Sequence, residues 1–116
     1  MYTKIEVEAI ISSLATQIKA AIGDRLASVI LYGSYARDDF DEGSDVDVMI
    51  LIDAKHERIT AYWDIIGDIT SELVYQYNLL ITPVIQSDEI FNKYKDASGF
   101  YKNILTEGVR INAWCQ

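Results

Sequence analysis

Apolar residues recur with two different periods along the chain, and the switches between them set out its elements. Val7, Ile10, Ile11, Leu14, Ile18 and Ile22 fall at helical spacing, which predicts an amphipathic helix over residues 4–22 that Gly23 can end. Residues 27–32, Ala-Ser-Val-Ile-Leu-Tyr, form a short run of β-branched and large apolar types and predict a buried strand. Gly33-Ser34 breaks that run. Residues 35–45 read as a short turn or helix followed by an acidic loop, Asp38-Asp39-Phe40-Asp41-Glu42-Gly43. Residues 46–52, Val-Asp-Val-Met-Ile-Leu-Ile, become apolar on both faces, which predicts a central strand covered on both sides.

Residues 56–77 predict one long helix, with Ile59, Tyr62, Trp63, Ile66, Ile69, Leu73 and Tyr77 along its buried face. Residues 79–86 predict a third strand. Pro83 within it has no N–H to give a ladder, so this strand belongs at an edge or contains a bulge. Ser87 suits the N-cap of a helix over 88–95, with Asp88 and Glu89 favourable in its first turn. Ser98 suits the cap of another helix over 99–106, stopped by Gly108, and residues 109–114 read as a last extended piece. Few strands interleaved with helices give an α/β (α+β) fold: a small mixed β-sheet flanked by helices.

Composition narrows what such a fold can do. A chain of 116 residues, half of them apolar, suits one domain over 1–116 with a real core. The formal charge of −8 argues against direct nucleic-acid binding, which relies on basic patches to neutralise phosphates. An acidic protein that handles a phosphate-bearing ligand needs a cation to screen the repulsion. His56 is the only histidine, so no histidine triad can form, and the lone Cys115 has no disulfide partner within the chain. The first residues lack a signal-peptide pattern, and no apolar run approaches the ~20 residues that span a membrane. A cytoplasmic protein that does not engage membrane is the expectation.

The chemistry concentrates in Leu31-Tyr32-Gly33-Ser34-Tyr35-Ala36-Arg37 and Gly43-Ser44-Asp45-Val46-Asp47. A strand that runs into Gly33-Ser34 and then into a helical turn lets backbone N–H groups approach an anion, and the Ser34 hydroxyl adds a donor. Arg37, one turn on, can meet phosphates or pair with Asp38, Asp41 or Glu42 in the acidic loop. Side chains two apart on a strand share a face, which predicts that Asp45 and Asp47 lie side by side. Carboxylates so placed repel unless a cation joins them, and hard oxygen donors with open positions suit Mg²⁺ or Mn²⁺ shared with substrate phosphates.

Gly33-Ser34, the ten residues 35–44, and Asp45-Val46-Asp47 together resemble the signature of polymerase-beta-like nucleotidyltransferases. Tyr35-Ala36-Arg37, Ser44 and the tail Phe100 to Val109 are similar to the small prokaryotic branch, the minimal nucleotidyltransferases (MNT) paired with HEPN-domain toxins. This resemblance implies metal and catalytic roles for Asp45 and Asp47, and nucleotide or phosphate contacts for Gly33, Ser34, Arg37 and Ser44. It implies ATP as substrate, Mg²⁺ or Mn²⁺ as cofactor, and transfer of AMP to a hydroxyl, with a tyrosine of a HEPN-type toxin as acceptor and this chain as the antitoxin. A homodimer or a complex with that toxin fits the small, Tyr- and Ile-rich domain.

The chain departs from the family pattern twice. Asp38 stands where the small branch has a glycine after the arginine. No acid stands on strand 79–86, where many members carry a third carboxylate; Thr82 and Gln86 are its only hydrogen-bonding side chains, and Asp88 and Glu89 lie just beyond. Two alternatives therefore stand beside the enzyme: an antitoxin that neutralises its toxin by binding alone, and one chain of a two-chain aminoglycoside-type transferase.

Overall fold

The computed structural model describes residues 2–111, so the expectations for Trp114 and Cys115 lie outside the described residues. Helix α1 (Lys4–Ile22) opens on a capping box: Glu6 N–H donates to Thr3 Oγ1 at 3.1 Å, and Thr3 N–H donates back to Glu6 Oε1 at 2.9 Å. Strand β1 (Leu26–Tyr32) leads through Gly33 into α2 (Ser34–Arg37), a single turn. Strand β2 (Val46–Ile52), helix α3 (Trp63–Tyr77) and strand β3 (Ile81–Ser87) follow, then α4 (Asp88–Tyr94), α5 (Gly99–Glu107) and the two-residue β4 (Val109–Arg110). Ser87 and Ser98 cap α4 and α5, as their positions in the sequence predict.

The sheet runs in the order β3-β2-β1-β4 and is mixed: β1 pairs antiparallel with β2 and β4, whereas β2 pairs parallel with β3. Pro83 sits on the edge strand, where its missing donor costs no ladder bond. Strand β2 is central and apolar on both faces because each face meets a layer of helix. Val48, Ile50 and Ile52 pack with Ile10, Leu14 and Ile18 of α1 and Ile66 and Leu73 of α3. Met49 and Leu51 join Ile30, Phe91 of α4 and Ile104 of α5 in a smaller cluster on the opposite face. Asp47, two residues before Met49 on the strand, belongs to the side of the sheet that α4 and α5 cover.

One boundary and one burial differ from the sequence reading. Residues His56–Tyr62 form 3₁₀ turns, and the α-helix starts only at Trp63. Ile59 is the sole buried residue of that first stretch, and no side chain caps it, so little holds a regular α-helical turn there. Trp63 is 55% exposed rather than on the buried face, which Ile59, Ile66, Thr70 and Leu73 supply. Thr70 is accommodated by donating to the Ile66 carbonyl at 2.7 Å. Among the described residues, no helix is long and apolar enough to cross a membrane.

Candidate functional site

The sequence motif becomes a site because β1 and β2 are neighbours. Their register sets Tyr32 opposite Asp47, so the chain leaves β1 at Gly33 beside the one carboxylate of β2. Gly33 has φ +79 and ψ −155, a conformation that side chains other than glycine's avoid. It also has no room for one: a Cβ there would strike the Asp47 carboxylate, with Cγ at 3.2 Å. The glycine thus brings backbone against carboxylate. At the far end of α2, Asp38 has φ 64 and ψ 32, the left-handed conformation for which glycine is the usual choice. Aspartate tolerates that region, so the departure from the family's glycine leaves a glycine-like turn in place.

A cavity of about 420 Å³ opens where these elements meet. Gly33, Ser34, Arg37 and Asp47 line one wall, and Phe100, Asn103 and Glu107 of α5 line the other. Asp47 is partly buried, and its Oδ1 accepts from Thr82 Oγ1 at 2.9 Å. Thr82 is the residue of β3 directly beside Asp47 in the parallel register, so a hydroxyl stands at the strand position next to the carboxylate. Tyr32 also faces the cavity. Burial raises its phenol above the ordinary value and the Asp47 charge raises it further, so it stays a neutral donor at physiological pH.

Arg37 takes the salt-bridge role, with partners that the sequence reading did not name. Its Nε donates to Asp39 Oδ2 at 3.1 Å and its Nη1 to Glu107 Oε2 at 3.4 Å. The hydrogen bond to Asp39, then its charge, and then Glu107 hold the guanidinium above its already high ordinary value, so it is a permanent cation at the cavity edge.

Asp45 and Ser44 line a different cavity from Asp47. Strand β2 begins at Val46, so Asp45 stands one residue before it. It is exposed and lines a neighbouring cavity of about 650 Å³ with Ser44, Tyr2, Tyr35 and Tyr77. Ser44 Oγ is engaged within the loop, accepting from Asp41 N–H at 3.0 Å. Among the described residues, no group of three or more His, Cys, Asp or Glu side chains is placed to hold a metal ion. One or two carboxylates with substrate phosphates are, however, the usual donor set of Mg²⁺, and Asp47 beside the phosphate-suited Gly33-Ser34 turn fits that pattern.

The sequence matches the family model of the nucleotidyltransferase domain over residues 11–111. The chain belongs to that family. Two similar chains come from Methanocaldococcus jannaschii and carry the names "putative protein adenylyltransferase" MJ0604 and MJ0141. The first is 34% identical over 101 residues, covering 87% of this chain and 93% of the relative. The second is 38% identical over 92 residues, covering 79% and 91%. The fold is shared with a solved "putative nucleotidyltransferase" from Sulfolobus solfataricus, at 14% identity and TM-score 0.63 over 92% of this chain and 80% of that one. It is shared also with a chain from a toxin-antitoxin structure with AMP-PNP, at 20% identity and TM-score 0.56 over 94% and 73%. This nucleotidyltransferase thus has its signature glycine, serine and second aspartate around one cavity. The place of Phe100, Asn103 and Glu107 at this cavity is not legible in the tail's resemblance, because only folding brings them there.

Proposed function

We propose that this nucleotidyltransferase moves AMP from ATP onto a hydroxyl of a partner protein, and that the partner is a toxin which the modification silences. The convergence of Gly33, Ser34, Arg37 and Asp47 on one cavity carries the reading. Gly33-Ser34 and Arg37 receive the β- and γ-phosphates; Asp47 in this cavity would hold Mg²⁺ or Mn²⁺, with Asp45 from the neighbouring cavity as the second carboxylate of the motif. When bound, that cation screens phosphate charge and stabilises the attacking and leaving oxygens. The acceptor hydroxyl releases its proton to solvent as its oxygen bonds to the α-phosphorus, the bond to the bridging oxygen breaks, and pyrophosphate leaves. The names of the archaeal relatives support a protein acceptor, and the structural neighbour with AMP-PNP supports an adenine nucleotide and a toxin. The resemblance of the motif and tail makes a HEPN-type toxin and its tyrosine the choice.

The test is incubation with the protein encoded by the adjacent gene, α-labelled ATP and Mg²⁺, followed by mass spectrometry of both chains. AMP gained by the neighbour, and lost with Asp45→Asn, is the expected result. A stable complex without AMP on either chain supports the second reading, a binding antitoxin with weak catalysis. Thr82 motivates that second reading, since a hydroxyl rather than a third carboxylate stands beside Asp47. If the site is catalytic as it stands, the Thr82 hydroxyl has work of its own in fixing the Asp47 carboxylate. Thr82→Val keeps the shape and removes the donor. It is expected to slow AMP transfer about tenfold or more, the equivalent of one hydrogen bond to a charged group. An unchanged initial rate in a folded Thr82→Val protein would exclude that role.

A further inference from the structure

The end of α5 is fixed against the same strand that carries Gly33. Gly108 lies so close to β1 that a Cβ there would meet Ile30 Cγ2 at 2.6 Å and the Leu31 carbonyl oxygen at 3.2 Å. Val109 then pairs with Leu31 in antiparallel register, so the preceding residues run back beside the exit of β1. That course holds Glu107 at the cavity it shares with Gly33, Ser34, Arg37 and Asp47. Arg37 is the one cation among the described residues that line this cavity, and Asp39 and Glu107 already accept from its Nε and Nη1.

We propose that Glu107 gates nucleotide binding: it holds Arg37 until the phosphates of the nucleotide displace it. The inference rests on the nucleotide reading above and adds a control on affinity. Glu107 is a carboxylate at a place suited to phosphate, and it makes with Arg37 the charge-assisted bond that a phosphate oxygen would make. The pair is easily exchanged. The Arg37 and Glu107 side chains are 44% and 41% exposed, and solvent-screened pairs of that kind contribute little. A triphosphate offers more negative charge and bidentate geometry, so it wins the guanidinium. Glu107 then remains near the phosphates as an unpaired like charge and lowers their affinity. The device suits an enzyme that must release pyrophosphate from the same pocket, because the carboxylate returns to Arg37 as the product departs.

Calorimetric titration of Mg·ATP into the wild type, Glu107→Gln, Arg37→Ala and the double variant tests the gate without any acceptor. Glu107→Gln is expected to bind about two- to fivefold more tightly than the wild type, the fold-change equivalent of one exposed ion pair. Arg37→Ala is expected to bind more weakly, and adding Glu107→Gln to it should recover less than the same change does in the wild type. Binding by Glu107→Gln but not by the wild type would be the gate in its strongest form. Affinity that is equal to or weaker than wild type in a folded Glu107→Gln protein overturns the gate and leaves the nucleotide reading standing. No binding by any of the four overturns both.

Discussion

Asp47→Asn is expected to reduce AMP transfer by about 10²–10³-fold, the usual loss when one preorganised electrostatic group is removed from a transition state. The substitution isolates charge from shape. Asparagine has nearly the volume of aspartate, and its side-chain oxygen can still accept from Thr82 Oγ1, which now donates to Asp47 at 2.9 Å. The partly buried position beside Gly33 therefore stays filled. What disappears is the anionic oxygen that would hold a divalent cation next to the phosphates. Stability is expected to change by less than ~1 kcal/mol, since no ion pair is broken, so a melting curve separates lost chemistry from lost fold. Asp45→Asn makes the companion measurement. A folded Asp47→Asn protein that kept more than a tenth of its activity would move the centre of the chemistry to the cavity that Asp45 lines.

That comparison matters because the two aspartates are close in the motif but line different cavities. The sequence-based expectation that they share a face assumes both lie within the strand. The strand starts at Val46, and Asp45 is the residue just before it. Local pattern was a sound guide where the deciding forces were local. Helical spacing of Val7, Ile10, Ile11 and Leu14 marked the buried face of α1, and Pro83 marked an edge strand because a missing N–H cannot serve a central one. It was a poorer guide where packing decides. Nothing local distinguishes the 3₁₀ turns at His56–Tyr62 from the helix that follows, and Trp63 looked like core until the covering layer proved to leave it outside. The acidic neighbours that Arg37 might pair with were sought in its own loop. One partner, Asp39, is there, but the other is Glu107, seventy residues on, brought back by a tail whose position depends on the contact of Gly108 with β1. The near half of the cavity is thus written in one motif, and the far half exists only after the sheet has formed.

Gly33→Ala is expected to damage stability and activity together, and the reason is geometric. Two independent costs meet at this residue. Its φ of +79 with ψ −155 lies in a region open essentially to glycine alone, which costs another residue about 1–3 kcal/mol. The added methyl would also strike Asp47, with Cγ at 3.2 Å and Cβ at 3.3 Å, where overpacking adds about 1–3 kcal/mol. Relief requires movement. Either the β1–α2 turn shifts and carries Ser34 and Arg37 with it, or the Asp47 carboxylate swings away from Thr82. Both routes disturb the arrangement on which the proposed transfer depends, so the rate should fall even in molecules that remain folded. Gly23→Ala supplies the control. Gly23 has φ +63 at the end of α1, but no atom lies within 4 Å of a Cβ there, so alanine meets backbone strain without collision. Thermal melting of the two variants should show the larger loss at Gly33, and only Gly33→Ala should lose transfer. Equal losses in melting and a normal rate for Gly33→Ala would mean that the close approach to Asp47 is not needed, and that the glycine of the motif serves the turn alone.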